Sequence, residues 1–426
     1  MNHSWLALTI FILSYLLFIL IPARRSWIAV GASFLLIATG AISPQQALTA
    51  INWNVMGIFV GTLVIVDILL DSRMPAYLAE HLVNRTKNSA GAFLALCGMT
   101  AVISMVVENV ATVLIVAPIA MAMAKKLNIN PKQLIIAIAV SSNLEGTATL
   151  IGDPPSMLLG GFAKMNFWDF FFYQGRPGIF FAVQMGALAS FLVLYVVFRN
   201  HRQKVEIVRE EKVKSWIPTW LLIFMIAALV ASSLFDKKFS YMAGIICLVF
   251  GVAALFWDKY FNKDAFSKTI RSLDWDTTFF LMGIFILVGS VTINGWIEVA
   301  ASYLSGVVGN NVFLGYVVLV TGAVILSGFI DNVPFLAAML PIAISMAAQL
   351  NIAPQPLLFG LLIGASLGGN ITPIGASANI VACGLLKKEG YNVSWGDFVS
   401  IGLPYTIVAT LAAATFVRIV WGPAAR

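Results

Sequence analysis

Histidine, cysteine and charge are all scarce in this chain. Its 426 residues include three histidines and three cysteines, and only 11% are Asp, Glu, Lys or Arg. A soluble domain carries roughly a quarter charged residues, so a water-facing globular protein is excluded. Cys97, Cys247 and Cys383 each stand in an apolar segment and form no spaced pair. Neither a disulfide framework nor a thiolate metal site is expected from them, and Cys383, just past a polar stretch described below, reads as packing. His3, His81 and His201 fall in the tail or in loops, which leaves no histidine cluster for a metal. No G-x-S-x-G, zinc or nucleotide motif is present, so no enzyme and no cofactor is expected.

What the chain has is apolar length, with 60% of its residues hydrophobic. About 20 apolar residues cross a bilayer core. That rule places spans near 5–22, 27–43, 54–71, 178–198, 216–235, 239–257, 276–293 and 402–420. The start, M-N-H-S-W, has no basic n-region, so residues 5–21 read as a retained span rather than a signal peptide. Residues 74–87 and 295–308 read as amphipathic interfacial helices.

The chain also repeats itself. V-E-N-V at 107–110 matches I-D-N-V at 330–333, Pro118 matches Pro341, and L-N-I-N-P at 127–131 matches L-N-I-A-P at 350–354. Gly146, Thr149, Ile151 and Gly152 match Gly369, Thr372, Ile374 and Gly375, and every pair is 223 positions apart. One constant offset over so many positions marks an internal duplication. The expected fold is an all-α polytopic membrane protein of two inverted repeats. Each repeat holds a re-entrant hairpin and a discontinuous transmembrane helix, for about ten crossings plus two hairpins. Repeat 1 is expected over 1–198 (hairpin 90–125, broken helix 133–163), a cytoplasmic linker over 199–215, and repeat 2 over 216–426 (hairpin 312–349, broken helix 357–386). Loops on one side carry 20 of the 26 Lys and Arg, which makes that side cytoplasmic and puts both termini outside. The same asymmetry explains the net charge of +7 without a nucleic-acid partner.

Two polar stretches interrupt apolar runs: E-G-T-A-T-L-I-G-D-P-P-S at 145–156 and G-G-N-I-T-P-I-G-A-S-A-N at 368–379. Irregular backbone at membrane depth survives only inside protein or beside a cavity. Gly146, Gly152, Gly369 and Gly375 loosen a helix, and Pro154 and Pro155 cannot continue one. A break exposes N–H groups that suit an anion and carbonyls that suit a cation. The bland reading of one break is a proline kink; two matched breaks, each paired with a polar hairpin tip, favour a single binding site. Asn109, Thr112, Thr147, Thr149, Asn332, Asn370, Thr372, Ser377 and Asn379 are the candidates to hydrogen-bond a solute. Glu108, Glu145, Asp153, Asp331 and Asp67 are the candidates to carry a proton or cation, since intramembrane carboxylates are costly; for Asp67, late in its span, a snorkelling end residue is the competing reading. No Lys or Arg lies near either break in sequence, which argues against a multiply charged anion.

V-E-N-V-A-T-V-L-I-V-A-P-I at 107–119 and G-T-A-T-L-I-G-D-P-P-S at 146–156 resemble the ion transporter superfamily, in the branch that holds arsenical pump membrane proteins, sodium/proton antiporters and the melanocyte P protein. The resemblance covers nearly the whole chain. It implies a dimeric inverted-repeat carrier with a scaffold and an elevator-like transport domain, and raises a soluble ATPase subunit as a partner. The dicarboxylate members have S-N-T at both tips, where this chain has Glu108 and Asp331. The second G-D-P-P is missing: residues 375–379 read G-A-S-A-N. On this resemblance the leading expectation is export of arsenite or antimonite from the cytoplasm across the inner (plasma) membrane in exchange for protons. A sodium/proton antiporter and a small-anion carrier stay open, and a channel would differ by conducting without coupled exchange.

Overall fold

The computed structural model describes residues 3–204, 212–261, 265–309 and 311–422. Residues 205–211 of the linker expected over 199–215, and with them Arg209, Lys263 and Arg426 of the loop-charge count, lie outside them.

The fold is helical. In chain order the helices are α1 (His3–Leu20), α2 (Arg25–Ala38), α3 (Pro44–Ala50), α4 (Trp53–Asp71), α5 (Met74–Asn84), α6 (Ser89–Ser104), α7 (Asn109–Lys126), α8 (Lys132–Gly146), α9 (Pro154–Ala163) and α10 (Ile179–Phe198). There follow α11 (Ile217–Ser232), α12 (Met242–Phe261), α13 (Ala265–Ser272), α14 (Trp275–Ile293), α15 (Trp296–Val308), α16 (Val312–Ser327), α17 (Asn332–Gln349), α18 (Gln355–Gly368), α19 (Ser377–Lys388) and α20 (Trp395–Trp421). A two-stranded ribbon pairs Phe172–Tyr173 with Arg176–Pro177. Among the described residues, eight helices are long and apolar enough to cross a membrane, or nine if the sharply bent pair α15–α16 counts as one span.

The duplication seen in sequence is also structural. α6 and α16, α7 and α17, α8 and α18, and α9 and α19 each start 223 residues apart. The contacts repeat too. α4 packs on α12 as α14 packs on α2, so each repeat lends a helix to the other. α7 packs on α19 as α17 packs on α9, and α6 lies on α8 as α16 lies on α18. Two groups of helices result. α1–α4 and α11–α14 form a scaffold; α6–α10 and α16–α20 form a second body around the breaks.

Of the span boundaries that differ from the sequence reading, three are set by a cap. The span expected at 27–43 ends at Ala38, since Gly40 turns the chain at φ +72° and Ser43 starts a new helix by accepting from the Gln46 N–H at 3.1 Å. The span expected from 239 starts at Met242, because Asp236 collects the N–H groups of Ser240, Tyr241 and Met242. The last helix runs back to Trp395 rather than 402, started by Ser394, which accepts from the Asp397 N–H at 3.1 Å.

Close helix approach decides the scaffold core. A Cβ on Gly61 of α4 would fall 2.3 Å from the Cys247 carbonyl of α12, and one on Gly57 would fall 2.9 Å from the Gly244 Cα. Both obstacles are backbone and cannot yield, which is the small-residue packing that membrane helices use. Gly61→Ala should therefore lower stability by about 1–3 kcal/mol through overpacking, read as a drop in the thermal midpoint in detergent. Gly322→Ala, where the added methyl meets nothing within 4 Å, should leave the midpoint unchanged or raise it.

Candidate functional site

The two hairpin tips and the two breaks converge, as their symmetry requires. They surround a cavity of about 50 Å³, room for a few waters, since one needs roughly 10–15 Å³ of such space. Its walls include Glu108, Asn109, Asn143, Asp153, Pro154, Pro155, Asn332 and Ser377 from the second body, and Arg25, Asp274 and Thr277 from the scaffold.

Besides α2, which starts at Arg25, five helices begin here: α7, α9, α14, α17 and α19. Four of them are capped by a carboxylate. Glu108 accepts from the Ala111 N–H at 3.1 Å, Asp153 from Ser156 at 2.9 Å, Asp274 from Thr277 at 2.9 Å and Asp331 from Val333 at 3.0 Å. Capping satisfies the free first-turn donors and places negative charge at the positive end of each helix dipole. The fifth start, α19, has Ala376 at its cap and no side chain on its N–H groups. Ala376 stands where repeat 1 has Asp153, so the lost G-D-P-P motif leaves one uncapped helix end.

Arg25 sits beside that end. It opens α2, and its Nη1 donates to Asp331 Oδ2 at 2.5 Å and lies 3.4 Å from Ser377 Oγ. Its Nη2 donates to Thr277 Oγ1 at 3.0 Å, and its Nε lies 3.5 Å from Asp276 Oδ2. This corrects the inference that no cation lies near the breaks: Arg25 is far from them in sequence and is brought over by the packing of α2 on α14. The loop-charge count placed it among cytoplasmic loop cations, yet its side chain is only 17% exposed.

The breaks are bound to the hairpins by matched bonds. Thr149 Oγ1 donates to the Met105 carbonyl, and Thr372 Oγ1 to the Gly328 carbonyl, 223 positions on. A Cβ on Gly152 would meet the Gly146 carbonyl oxygen at 2.3 Å, and one on Gly375 would meet the Gly369 oxygen at 2.6 Å. The glycines are needed because the two ends of each break nearly touch.

The candidate residues divide accordingly. Glu108, Asn109, Asp153, Asn332 and Ser377 line the cavity, and Asp331 reaches it through Arg25. Thr112, Thr147, Thr149 and Thr372 direct their hydroxyls to backbone carbonyls instead. Asn370 and Asn379 are fully buried beside the cavity. Glu145 lies apart, 2% exposed, accepting from Gln184 Nε2 at 2.8 Å. Asp67 also lies apart, where Ser272 Oγ donates to it at 2.9 Å. Sequence reasoning missed Arg25, Asp274, Thr277 and Asn143. Asn143 joins the two breaks: its Nδ2 lies 2.8 Å from both Asn370 Oδ1 and Asn379 Oδ1. Its position in S-S-N-L-E, directly before a break, was a signal, but its counterpart 223 residues on is Ser366, so matching the repeats passed over it. Among the described residues, no group of three His, Cys, Asp or Glu is placed to hold a metal ion.

Two broken helices, two hairpin tips and a charged cavity between two helix groups define a multi-pass membrane transporter. Residues 15–263 and 241–424 match the citrate transporter family (CitMHS), and the chain belongs to that family. It is 28% identical to an uncharacterised transporter of Mycobacterium tuberculosis over 97% of each chain, and 26% identical to a 46 kDa membrane protein of Mycobacterium leprae over 97% of this chain and 98% of that one. It is 23% identical to the mouse P protein over 89% of this chain and 56% of that one. Among solved structures, the fold is similar to the YdaH transporter of Alcanivorax borkumensis (TM-score 0.61, 14% identity, 88% of this chain and 86% of that one). It is also similar to Neisseria gonorrhoeae MtrF, of a class of antimetabolite efflux pumps (TM-score 0.59, 15% identity, 92% of this chain and 85% of that one).

Asn143→Ala should strand both Asn370 Oδ1 and Asn379 Oδ1. The expected loss is about 1–3 kcal/mol for each acceptor left unpaired, measured as a lower thermal midpoint than that of Ser366→Ala, whose Oγ has no partner.

Proposed function

We propose that the chain is a proton-coupled secondary transporter of a small, carboxylate-bearing anion. The observation that carries this reading is Arg25 beside the uncapped start of α19, a guanidinium and free N–H groups facing one cavity. Citrate, named by the family, is the first solute to try. The charge balance explains the coupling. Six helix starts, that of α2 included, contribute about +0.5 each and Arg25 adds one unit, against the five carboxylates Glu108, Asp153, Asp274, Asp276 and Asp331. The site is already negative, so an anion needs accompanying protons or cations, and the carboxylates are where they go.

The cavity is too small for any organic acid as it stands, so loading requires movement. Its walls come from both helix groups, and we propose that the second body moves against the scaffold in an elevator-type cycle. Asp274 and Asp276 are exposed, so in this state the site lies nearest the ends of α1 and α14 that the Lys and Arg count makes cytoplasmic. On that count both termini face outward, and the inner (plasma) membrane is the expected location. A homodimer is proposed on the resemblance alone. A proton gradient suffices as the driving force, so the reading requires no ATPase subunit.

Arsenite or antimonite export is the second reading, favoured by the neutral donors and acceptors of Asn109, Asn143, Asn332 and Ser377 along the cavity wall. Purified protein in liposomes loaded with a pH dye separates the readings. Citrate, arsenite, antimonite, sodium and lithium are added in turn. Proton flux evoked by citrate, and reduced at least about tenfold in Ser377→Ala through loss of a contact to the load worth about 1.4 kcal/mol, is the expected result. Flux evoked only by the metalloids, or only by sodium or lithium, would overturn the anion reading in favour of the corresponding alternative.

A further inference from the structure

We infer that Arg25 is the coupling residue of this carrier: a scaffold guanidinium that holds the repeat-2 hairpin tip through Asp331 until the load replaces it, an inference that rests on the transport reading above. The guanidinium bridges the two helix groups. On the scaffold side it is held by Thr277 Oγ1 at 3.0 Å and Asp276 Oδ2 at 3.5 Å, with its central carbon 5.0 Å from the centre of the Phe280 ring. On the other side it holds Asp331 at 2.5 Å and reaches Ser377 at 3.4 Å. Its Nε, Nη1 and Nη2 each contact a partner, so an anionic group of the load would compete with Asp331 for the guanidinium. The scaffold holds this tip at a second point, where the Tyr15 hydroxyl of α1 donates to the Pro334 carbonyl at 2.8 Å.

The other tip is built differently. Glu108 caps its own helix and faces a small apolar cavity against α4, lined by Phe59, Thr62, Leu63, Val66, Ile151 and Met157. None of those residues is basic. Two tips matched in sequence therefore meet different scaffold surfaces, and among the described residues it is the repeat-2 carboxylate that pairs with a cation.

The consequence follows from the energetics of ion pairs away from water. Separating a partly buried pair strands two charges, which is costly. Movement of the second body carries Asp331 away from Arg25, so the empty carrier is held. An anionic group of the load on Arg25, with a proton or cation brought to the site, replaces Asp331 and frees the tip. The other charges facing this pair are Asp274 and Asp276 on α14, Glu108 at the repeat-1 tip and Asp153 at the start of α9. Asp276 and Thr277 stay with Arg25 throughout, because α2 and α14 belong to the same group.

The test is amide hydrogen exchange of residues 328–333 in the full chain in detergent, without solute, across a pH series. Protection is corrected for the intrinsic chemical rate. Wild type should lose tip protection as the pH falls. Arg25→Gln should be less protected by about tenfold or more at neutral pH, the scale of a lost buried pair, and its protection should change less with pH than that of wild type. Arg25→Gln/Asp331→Asn restores a neutral, matched pair in case the single variant fails to fold, and its tip protection should change least with pH. A pH profile in either variant that matches wild type would overturn the inference, as would equal tip protection in wild type and Arg25→Gln at every pH. Citrate-evoked proton flux in liposomes is measured in parallel on wild type. Its absence, beside the expected exchange profile, would sink the transport reading while leaving the Arg25–Asp331 lock standing.

Discussion

A helix broken inside a membrane frees backbone groups that only protein can satisfy, and this chain breaks two. The rest of the fold answers that constraint. Each break is folded tightly enough that Gly152 nearly meets Gly146, and Gly375 nearly meets Gly369. Each is tied to a hairpin by one threonine, and the two are joined by Asn143. The freed N–H groups of α9 are taken by Asp153, while those of α19 have no side-chain cap. The hairpins are thus partners of the breaks first and walls of a cavity second.

That arrangement collects positive helix ends and negative side chains at one place. Glu108, Asp153, Asp274 and Asp331 each have a structural role as caps, and that role alone would justify their presence. Function enters through the imbalance among them. Asp331 is shared with Arg25, Asp153 has lost its counterpart in repeat 2, and Glu108 faces an apolar wall. The site is built from a duplicated plan and then made chemically unequal.

The solved structures similar to this chain share its fold at 14% and 15% identity. Such likeness speaks for architecture and leaves substrate to the side chains. The family adds citrate as a name to test. The weight of the anion reading rests on Arg25 and on the uncapped end of α19, both of which are features of this chain.

The sequence by itself determined the membrane class, the inverted duplication and the positions of both hairpins and both breaks. These follow from local signals: apolar length, the constant offset of 223, and Gly and Pro where a helix cannot continue. Glu108, Asn109, Asp153, Asn332 and Ser377, singled out in the sequence for lying at a tip or a break, line the cavity. Tertiary structure decided the rest. Thr149 and Thr372 have the composition of ligands but act as ties, because a carbonyl of the adjacent hairpin lies within reach of each hydroxyl. Asp67 and Glu145 are acidic and intramembrane yet lie apart from the cavity. Arg25 reads as a loop cation beside Arg24, and nothing local marks it as more. It reaches the site because α2 packs on a helix of the other repeat, a contact between residues some 250 positions apart, and no pattern along the chain encodes that distance.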